Sequence, residues 1–202
     1  MNTGRRIQTL LMTAALLCVP AFLFSADTTQ TPIERDELYY TYGGCSLASG
    51  LSQFHREGWI NSTQSSKDSI GWYASPGMLL DIYVRNICGE FTWQYFFNST
   101  ADKKISFSHS VYTATGKYVY PISQSWDLTG GAGIYFEGPP AEKEYSGAGG
   151  ELTAGAIYSY TKFDIKCVFD LRVRYGYYGQ NESSRRTDCG VLIGVTRKIG
   201  RS

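Results

Sequence analysis

Residues 162–178 read Lys-Phe-Asp-Ile-Lys-Cys-Val-Phe-Asp-Leu-Arg-Val-Arg-Tyr-Gly-Tyr-Tyr, and this run decides the fold. From Phe163 to Tyr177 every second residue is apolar or aromatic: Phe163, Ile165, Cys167, Phe169, Leu171, Val173, Tyr175 and Tyr177. Between them stand Asp164, Lys166, Asp170, Arg172 and Arg174. Successive side chains of a β-strand point to opposite faces, so one face of this strand is greasy and the other carries both signs of charge. Strands of soluble sheets usually run about 5–6 residues, and this one is more than twice as long. A long tilted strand with lipid on one side and a polar lumen on the other requires this pattern.

The beginning of the chain sets the compartment. Arg5 and Arg6 precede an apolar run from about Leu10 to Phe24, and small residues at Ala21, within it, and Ala26, just past it, offer cleavage sites. Basic, apolar, then small is the order of a secretory signal peptide, expected over 1–26 with cleavage near Ala21 or Ala26. A short segment, 27–37, then leads to a barrel over 38–202. No other stretch approaches the about 18 uninterrupted apolar residues of a spanning helix, so any membrane crossing falls to strands. A net charge of +1 and a pI near 7.6 give no argument for a nucleic-acid partner. The mean hydropathy of −0.24 is compatible with a membrane barrel, because only alternate residues would face lipid. The 16 tyrosines suit the membrane–water boundary, where one end of the ring is dry and the other wet.

Eight strands emerge from the same alternation. The first is expected over 38–49 and the second over 71–85, with Met78, Leu80, Ile82 and Val84 opposite Asp81, Tyr83 and Arg85. The third, 89–98, turns Phe91, Trp93, Tyr95 and Phe97 outward and Glu90, Thr92 and Gln94 inward. In the fourth, 103–120, Ile105, Phe107 and Val111 share one face and Ser106, Ser108 and Ser110 the other, with a bulge or bend expected near Gly116. The fifth, 125–137, alternates Trp126, Leu128, Ala132, Ile134 and Phe136 with Asp127, Thr129, Gly131, Gly133 and Tyr135. The sixth, 149–160, sets Leu152, Ala154, Ala156, Tyr158 and Tyr160 against Glu151, Thr153, Gly155 and Ser159. The seventh is the run quoted above. The eighth, 188–200, sets Val191, Ile193, Val195 and Ile199 against Gly190, Leu192, Gly194, Thr196 and Lys198.

The joins between strands carry a second signal. The odd ones fall at 50–70, 98–102, 138–148 and 179–187, and three of these four are long and polar. The even ones, 86–88, 121–124 and 161–162, are all short. Tight turns at one end and longer loops at the other mark an outer-membrane barrel, with an even strand number placing both chain ends on the turn side. The outward face is expected to include Phe91, Trp93, Tyr95, Phe97, Phe163, Ile165, Phe169, Leu171, Val173 and Tyr175. The inward charges expected to pair across the lumen are Asp81, Glu90, Asp127, Glu151, Asp164, Lys166, Asp170, Arg172, Arg174 and Lys198, because an unpaired buried charge is costly. They form either a structural salt-bridge core or a charge-lined passage. Small inward residues leave room for the larger ones in a barrel this narrow.

The stretch Trp126-Asp-Leu-Thr-Gly-Gly-Ala-Gly-Ile-Tyr-Phe136 resembles a mid-barrel strand of the small bacterial outer-membrane proteins, the broad OmpA/OmpW-like and opacity-like group. The seventh strand ending Arg-Val-Arg-Tyr-Gly-Tyr177 is similar to that group, as is Gly190-Val-Leu-Ile-Gly194 before a basic pair. The likeness runs over nearly all of the chain after the signal segment. It implies a closed, antiparallel, up-and-down all-β barrel of eight transmembrane strands, located in the bacterial outer membrane. The OmpW-like members would imply uptake of small hydrophobic molecules. One departure is at the last strand: such barrels usually close on an aromatic, whereas here Ile199 is the last apolar residue.

Chemistry-bearing motifs are scarce. His55 falls in the first join and His109 on the fourth strand, without metal-ligand spacing, so no metal and no cofactor is expected. Nucleophile-elbow, phosphate-loop and dinucleotide patterns are missing, and Gly130-Gly-Ala-Gly133 sits inside a strand rather than at a helix start. No enzyme is expected. Cys45, Cys88, Cys167 and Cys189 are either free or bridged in pairs. Asn61, Asn98 and Asn181 head Asn-x-Ser/Thr triplets in expected loops.

Two functions from different classes follow. One is an integral outer-membrane barrel, structural, surface-interacting or a narrow passage for small solutes, hydrophobic ones among them, with outer-membrane lipid around it. Its loop residues His55, Arg56, Trp59, Pro139 and Pro140 would meet host or surface ligands. The other is a soluble exported lipocalin-like barrel that turns its apolar face inward around a hydrophobic ligand. Alternation alone does not distinguish the two.

Overall fold

The computed structural model describes residues 39–60, 63–100, 106–138, 147–178 and 185–201. They form eight strands: β1 (Tyr39–Ile60), β2 (Thr63–Val84), β3 (Ile87–Thr100), β4 (Ser106–Pro121), β5 (Trp126–Gly138), β6 (Gly147–Tyr160), β7 (Ile165–Tyr178) and β8 (Arg185–Arg201). Each pairs antiparallel with the next, and β8 pairs with β1 to close the barrel. Closure leaves no sheet edge along the wall, which a strand in hydrocarbon requires. The closing seam carries a register shift between Thr41 and Tyr42, where β8 passes from Gly200 to Lys198 and leaves Ile199 without a partner. The expected signal peptide and the 27–37 segment lie outside the described residues.

The alternation has become two surfaces. Outward residues such as Phe91, Trp93, Leu171 and Val191 are exposed, while inward ones such as Glu90, Gln94, Arg172 and Leu192 are buried. The barrel is therefore apolar outside and polar inside, the arrangement of a transmembrane barrel. A belt of that extent exceeds the apolar patch of any ordinary soluble monomer. The inward-facing apolar arrangement of a lipocalin-like barrel is not the one adopted.

One end of the barrel, the turn rim, has short joins at Arg85-Asn86, 122–125 and 161–164. Arg85 takes a positive φ of 54° in the two-residue link between Val84 and Ile87. The Ser123 hydroxyl accepts the Trp126 amide at 3.1 Å, and Pro121 ends β4 where a missing N–H costs no ladder bond. At the opposite rim, joins 61–62, 101–105, 139–146 and 179–184 lie outside the described residues, and with them Pro139, Pro140, Asn61 and Asn181.

Several expectations change. Residues 50–60 and 63–70 are strand, not loop: His55 pairs with Asp68, Arg56 with Lys67 and Trp59 with Gln64. Beyond His55 on β1, and before Gly71 on β2, the two strands pair only with each other among the described residues. Alternation reports burial of one face, and a two-stranded ribbon needs only its backbone ladder, so this polar stretch read as loop. Asn98 likewise lies in β3. β4 runs through Gly116 without a bulge, in continuous register with β3 and β5. Its inward set is His109, Val111, Thr113, Thr115, Lys117 and Val119, so Val111 faces the lumen and Tyr112, Tyr118 and Tyr120 face out. The seventh strand starts at Ile165 because Thr161–Phe163 form a single 3₁₀ turn and Asp164 takes a left-handed φ of 52°. Asp164 is thus exposed at the turn rim rather than in the lumen, and Phe163 is exposed on the turn rather than on a strand.

Candidate functional site

The polar lumen is the candidate site, and it is built in three tiers. Its middle tier comes from parity and register. Arg172 and Arg174 stand two residues apart on the inner face of β7, with Arg174 opposite Glu151 of β6. Glu90 of β3 and Lys117 of β4 reach across from the far wall. Lys117 Nζ donates to Glu90 Oε2 and to Asp170 Oδ2, both at 2.5 Å. Arg172 donates to Glu90, to Asp170 Oδ2 at 2.9 Å and to Glu151 Oε1 at 3.3 Å. Arg174 Nε donates to Glu151 Oε2 at 2.5 Å and its Nη2 to Gln94 Oε1 at 2.8 Å. The Thr115 hydroxyl donates to Glu151 Oε1 at 2.9 Å, and Thr92 bonds Thr113. Three cations thus meet three carboxylates, and none of the six residues is more than 3 % exposed. Nearly every carboxylate oxygen here has a charged or hydroxyl donor, the condition under which buried ion pairs are tolerated.

The tier near the opposite rim centres on Arg186. Its Nε donates to Asp188 Oδ1 at 2.8 Å and its Nη1 to Glu137 Oε1 at 2.6 Å. His109 Nε2 lies 2.9 Å from Arg186 Nη1 and 3.6 Å from Glu137 Oε2, and the Ser52 hydroxyl donates to Asp188 Oδ1 at 2.5 Å. Phe96 stacks between Tyr73 and His109, at centroid distances of 4.7 and 5.4 Å, with the Arg186 guanidinium 4.9 Å from its centroid. The tier near the turn rim is a tyrosine cage: Lys166 Nζ lies 3.5 Å from the Tyr83 centroid, 4.4 Å from that of Tyr42 and 5.0 Å from that of Tyr40. Lys198 lies 5.7 Å from the Tyr40 ring. Such cation–π contacts keep a desolvated ammonium at the polar faces of the rings.

Glycines make room for these side chains. A Cβ on Gly176 would stand 2.4 Å from the Tyr135 hydroxyl, and one on Gly190 would stand 2.1 Å from that of Tyr73. Both neighbours are large aromatic residues that reach in from a strand two places away.

Of the lumen residues expected from the sequence, Glu90, Glu151, Asp170, Arg172 and Arg174 meet in the middle tier. Lys166 and Lys198 lie near the turn rim, and Asp127 is buried on β5. Asp81 is buried directly opposite Glu90, and neither of its carboxylate oxygens has a hydrogen-bond partner among the described residues. Sequence reasoning missed Lys117, Glu137, Arg186 and Asp188, and read His109 as isolated. The signal was present as parity: Glu137 continues the Tyr135 face, and Arg186 and Asp188 continue the Gly190 face. In the sequence these residues fall at strand ends and in a join, and the bulge expected near Gly116 hides the parity of Lys117.

Cys45, Cys88, Cys167 and Cys189 are free thiols. Among the described residues no group of His, Cys, Asp and Glu is arranged to hold a metal.

No family model matches this chain, and no curated protein matches it. Among solved structures it is similar to Neisserial surface protein A (NspA), at 14 % identity over 78 % of this chain and 99 % of that one, with a TM-score of 0.43. It is also similar to Ail, the attachment invasion locus protein of Yersinia pestis, solved with the heparin analogue sucrose octasulfate. That match has 14 % identity over 78 % of this chain and 99 % of the other, with a TM-score of 0.35. A third likeness is to the CymD monoaromatic hydrocarbon channel, at 12 % identity over 80 % of this chain and 48 % of that one, with a TM-score of 0.30. Each is a likeness of barrels and not of function.

Proposed function

We propose that this protein is an integral barrel of the bacterial outer membrane, exported by a cleaved signal peptide, whose plugged interior makes it a rigid scaffold for surface contacts. The observation that carries this reading is the middle tier. Lys117, Arg172 and Arg174 join Glu90, Asp170 and Glu151 from opposite walls, so side chains cross the axis. Ion or solute passage would require parting several buried ion pairs and leaving their charges uncompensated in a narrow lumen. Short joins at the turn rim fit the periplasmic side. The opposite rim, with the β1–β2 ribbon, would then face outward, where recognition on a rigid scaffold usually sits. Lipid is the partner that the apolar belt requires.

The test is reconstitution of the purified chain into planar bilayers, after folding has been verified by a heat-dependent shift in gel mobility. The expected result is a heat-modifiable protein with no stable conductance steps. Regular steps would overturn the plugged scaffold in favour of a narrow passage. A protein that folds in plain buffer without detergent would overturn the membrane assignment itself.

A further inference from the structure

The outward face carries little charge, and its position is informative. Among the outward strand side chains described, two are charged, Arg185 and Arg197, both on β8. Between them the outward residues are Thr187, Cys189, Val191, Ile193 and Val195. The step from Arg185 to Arg197 covers about 40 Å of strand at ~3.3 Å per residue, or about 30 Å along the normal at a tilt of about 40°. That is about the thickness of a bilayer's hydrocarbon core, so the two arginines stand at its two boundaries.

Arg197 does not stand alone at the turn rim. With Lys162, Phe163, Asp164 and Ile165 it lines a cleft of about 300 Å³. The turn that shapes this cleft is held in place: the Asp164 amide donates to the Thr161 carbonyl, and the Lys198 amide donates to the Asp164 carbonyl at 2.9 Å. Phe163 stacks on Tyr160 at 5.2 Å, and Lys162 Nζ lies 5.7 Å from the Phe163 ring centroid. One wall is thus apolar and continuous with the outward stripe of β7. Two cations and one carboxylate complete the lining.

We propose that this cleft holds the headgroup of an aminophospholipid from the inner leaflet, an inference that rests on the transmembrane reading with the turn rim in the periplasm. The charge pattern selects the ligand. The phosphate meets Arg197, whose guanidinium presents paired donors, and Lys162. The primary ammonium meets the Asp164 carboxylate. The acyl chains lie along Ile165, Cys167 and Phe169. An anionic lipid without an ammonium leaves Asp164 facing a phosphate unpaired, and a quaternary headgroup offers it no N–H donor.

The experiment uses the full chain, folded into mixed micelles holding equal amounts of phosphatidylethanolamine, phosphatidylglycerol and phosphatidylcholine. A heat-modifiable band is verified first, and native mass spectrometry then reads the retained lipid. The expected result is retention of phosphatidylethanolamine several-fold over the other two. The double variant K162Q/R197Q should lower that retention by about tenfold, the loss of one to two charge-assisted hydrogen bonds. Asp164→Asn, which tolerates the same left-handed backbone, should abolish the preference over phosphatidylglycerol. Equal retention of the three lipids, a preference for phosphatidylglycerol, or a double variant that behaves as wild type would overturn the proposal while the barrel stands. A chain that gives no heat-modifiable band would overturn the transmembrane reading and the cleft together.

Discussion

Two neighbouring carboxylates on the lumen wall have opposite worth. Glu90 receives Lys117 and Arg172, so its charge holds the middle tier together. Asp81 stands directly across from it with no hydrogen bond of its own among the described residues, and like charges in direct register destabilise a sheet. Glu90→Gln should therefore lower stability by about 3–5 kcal/mol, because it removes one of the three carboxylates that balance three buried cations and leaves Lys117 and Arg172 to share Asp170 and Glu151. Asp81→Asn should raise stability by up to about 1 kcal/mol. Urea titrations of the heat-modifiable fraction in the two variants check the contrast, and equal losses in both would refute it. At the turn rim, Arg85 holds a φ of 54°, a region that costs a side chain about 1–2 kcal/mol. Glycine pays no such steric cost but is freer when unfolded, so Arg85→Gly should stabilise by about 1 kcal/mol or less on the same titration.

Between elements, packing inside the wall and pairing beyond it make different demands. Where β5, β6 and β7 meet, Tyr135 lies against Gly176, whose added Cβ would also stand 2.4 Å from the Ala148 carbonyl oxygen. Neither the ring nor the backbone can yield cheaply. Gly176→Val should lower stability by about 1–3 kcal/mol, seen as a lower temperature for the gel-mobility transition. The β1–β2 ribbon is the contrary case. Residues 56–60 and 63–67 pair only with each other among the described residues, so the wall does not depend on them. Replacing 56–67 by Asn-Gly, a sequence suited to a two-residue hairpin link, should leave the gel-mobility transition within a few degrees of wild type. A collapse of folding would show that the ribbon supports the barrel.

For the whole molecule, the central consequence is that lipid replaces the core. The interior combines ion pairs and aromatic contacts with a few aliphatic side chains such as Leu79, Val111, Ile157, Val168 and Leu192, and most of the large apolar side chains that a soluble protein would hide form its outer surface. Trp72, Trp93 and Trp126 all lie on that surface. Trp93 stands near the middle of β3, whereas Trp126 opens β5 at the turn rim beside Tyr158. In single-tryptophan variants folded into vesicles with brominated acyl chains, Trp93 fluorescence should be quenched most by bromines deep in the chain. Trp126 should be quenched most by bromines near the headgroup. Protection of both from every position would place the belt outside the bilayer and contradict the membrane assignment.

How much of this was legible in the chain differs by kind of interaction. The alternation over Phe163–Tyr177 was enough for eight two-faced strands and hence for a closed barrel, because period-two patterning is local. It failed where the pattern is weak or broken: in the polar ribbon of β1 and β2, in β4, and at Asp164, where one left-handed residue ends the alternation. The lumen residues were legible as a set wherever the phase was clear, but not as partners. Glu90 and Arg172 are far apart along the chain and meet only because the barrel closes. The sequence by itself determined that the chain forms eight strands, the two faces of those with clear alternation, and the tight-turn end. Only the tertiary structure decided that the apolar face lies outside, that six charges cross the axis, and that Lys162, Asp164 and Arg197 share one cleft. The physical reason is that alternation reads the same when a sheet closes in either sense, while ion pairing and cleft formation depend on distances that exist only after closure.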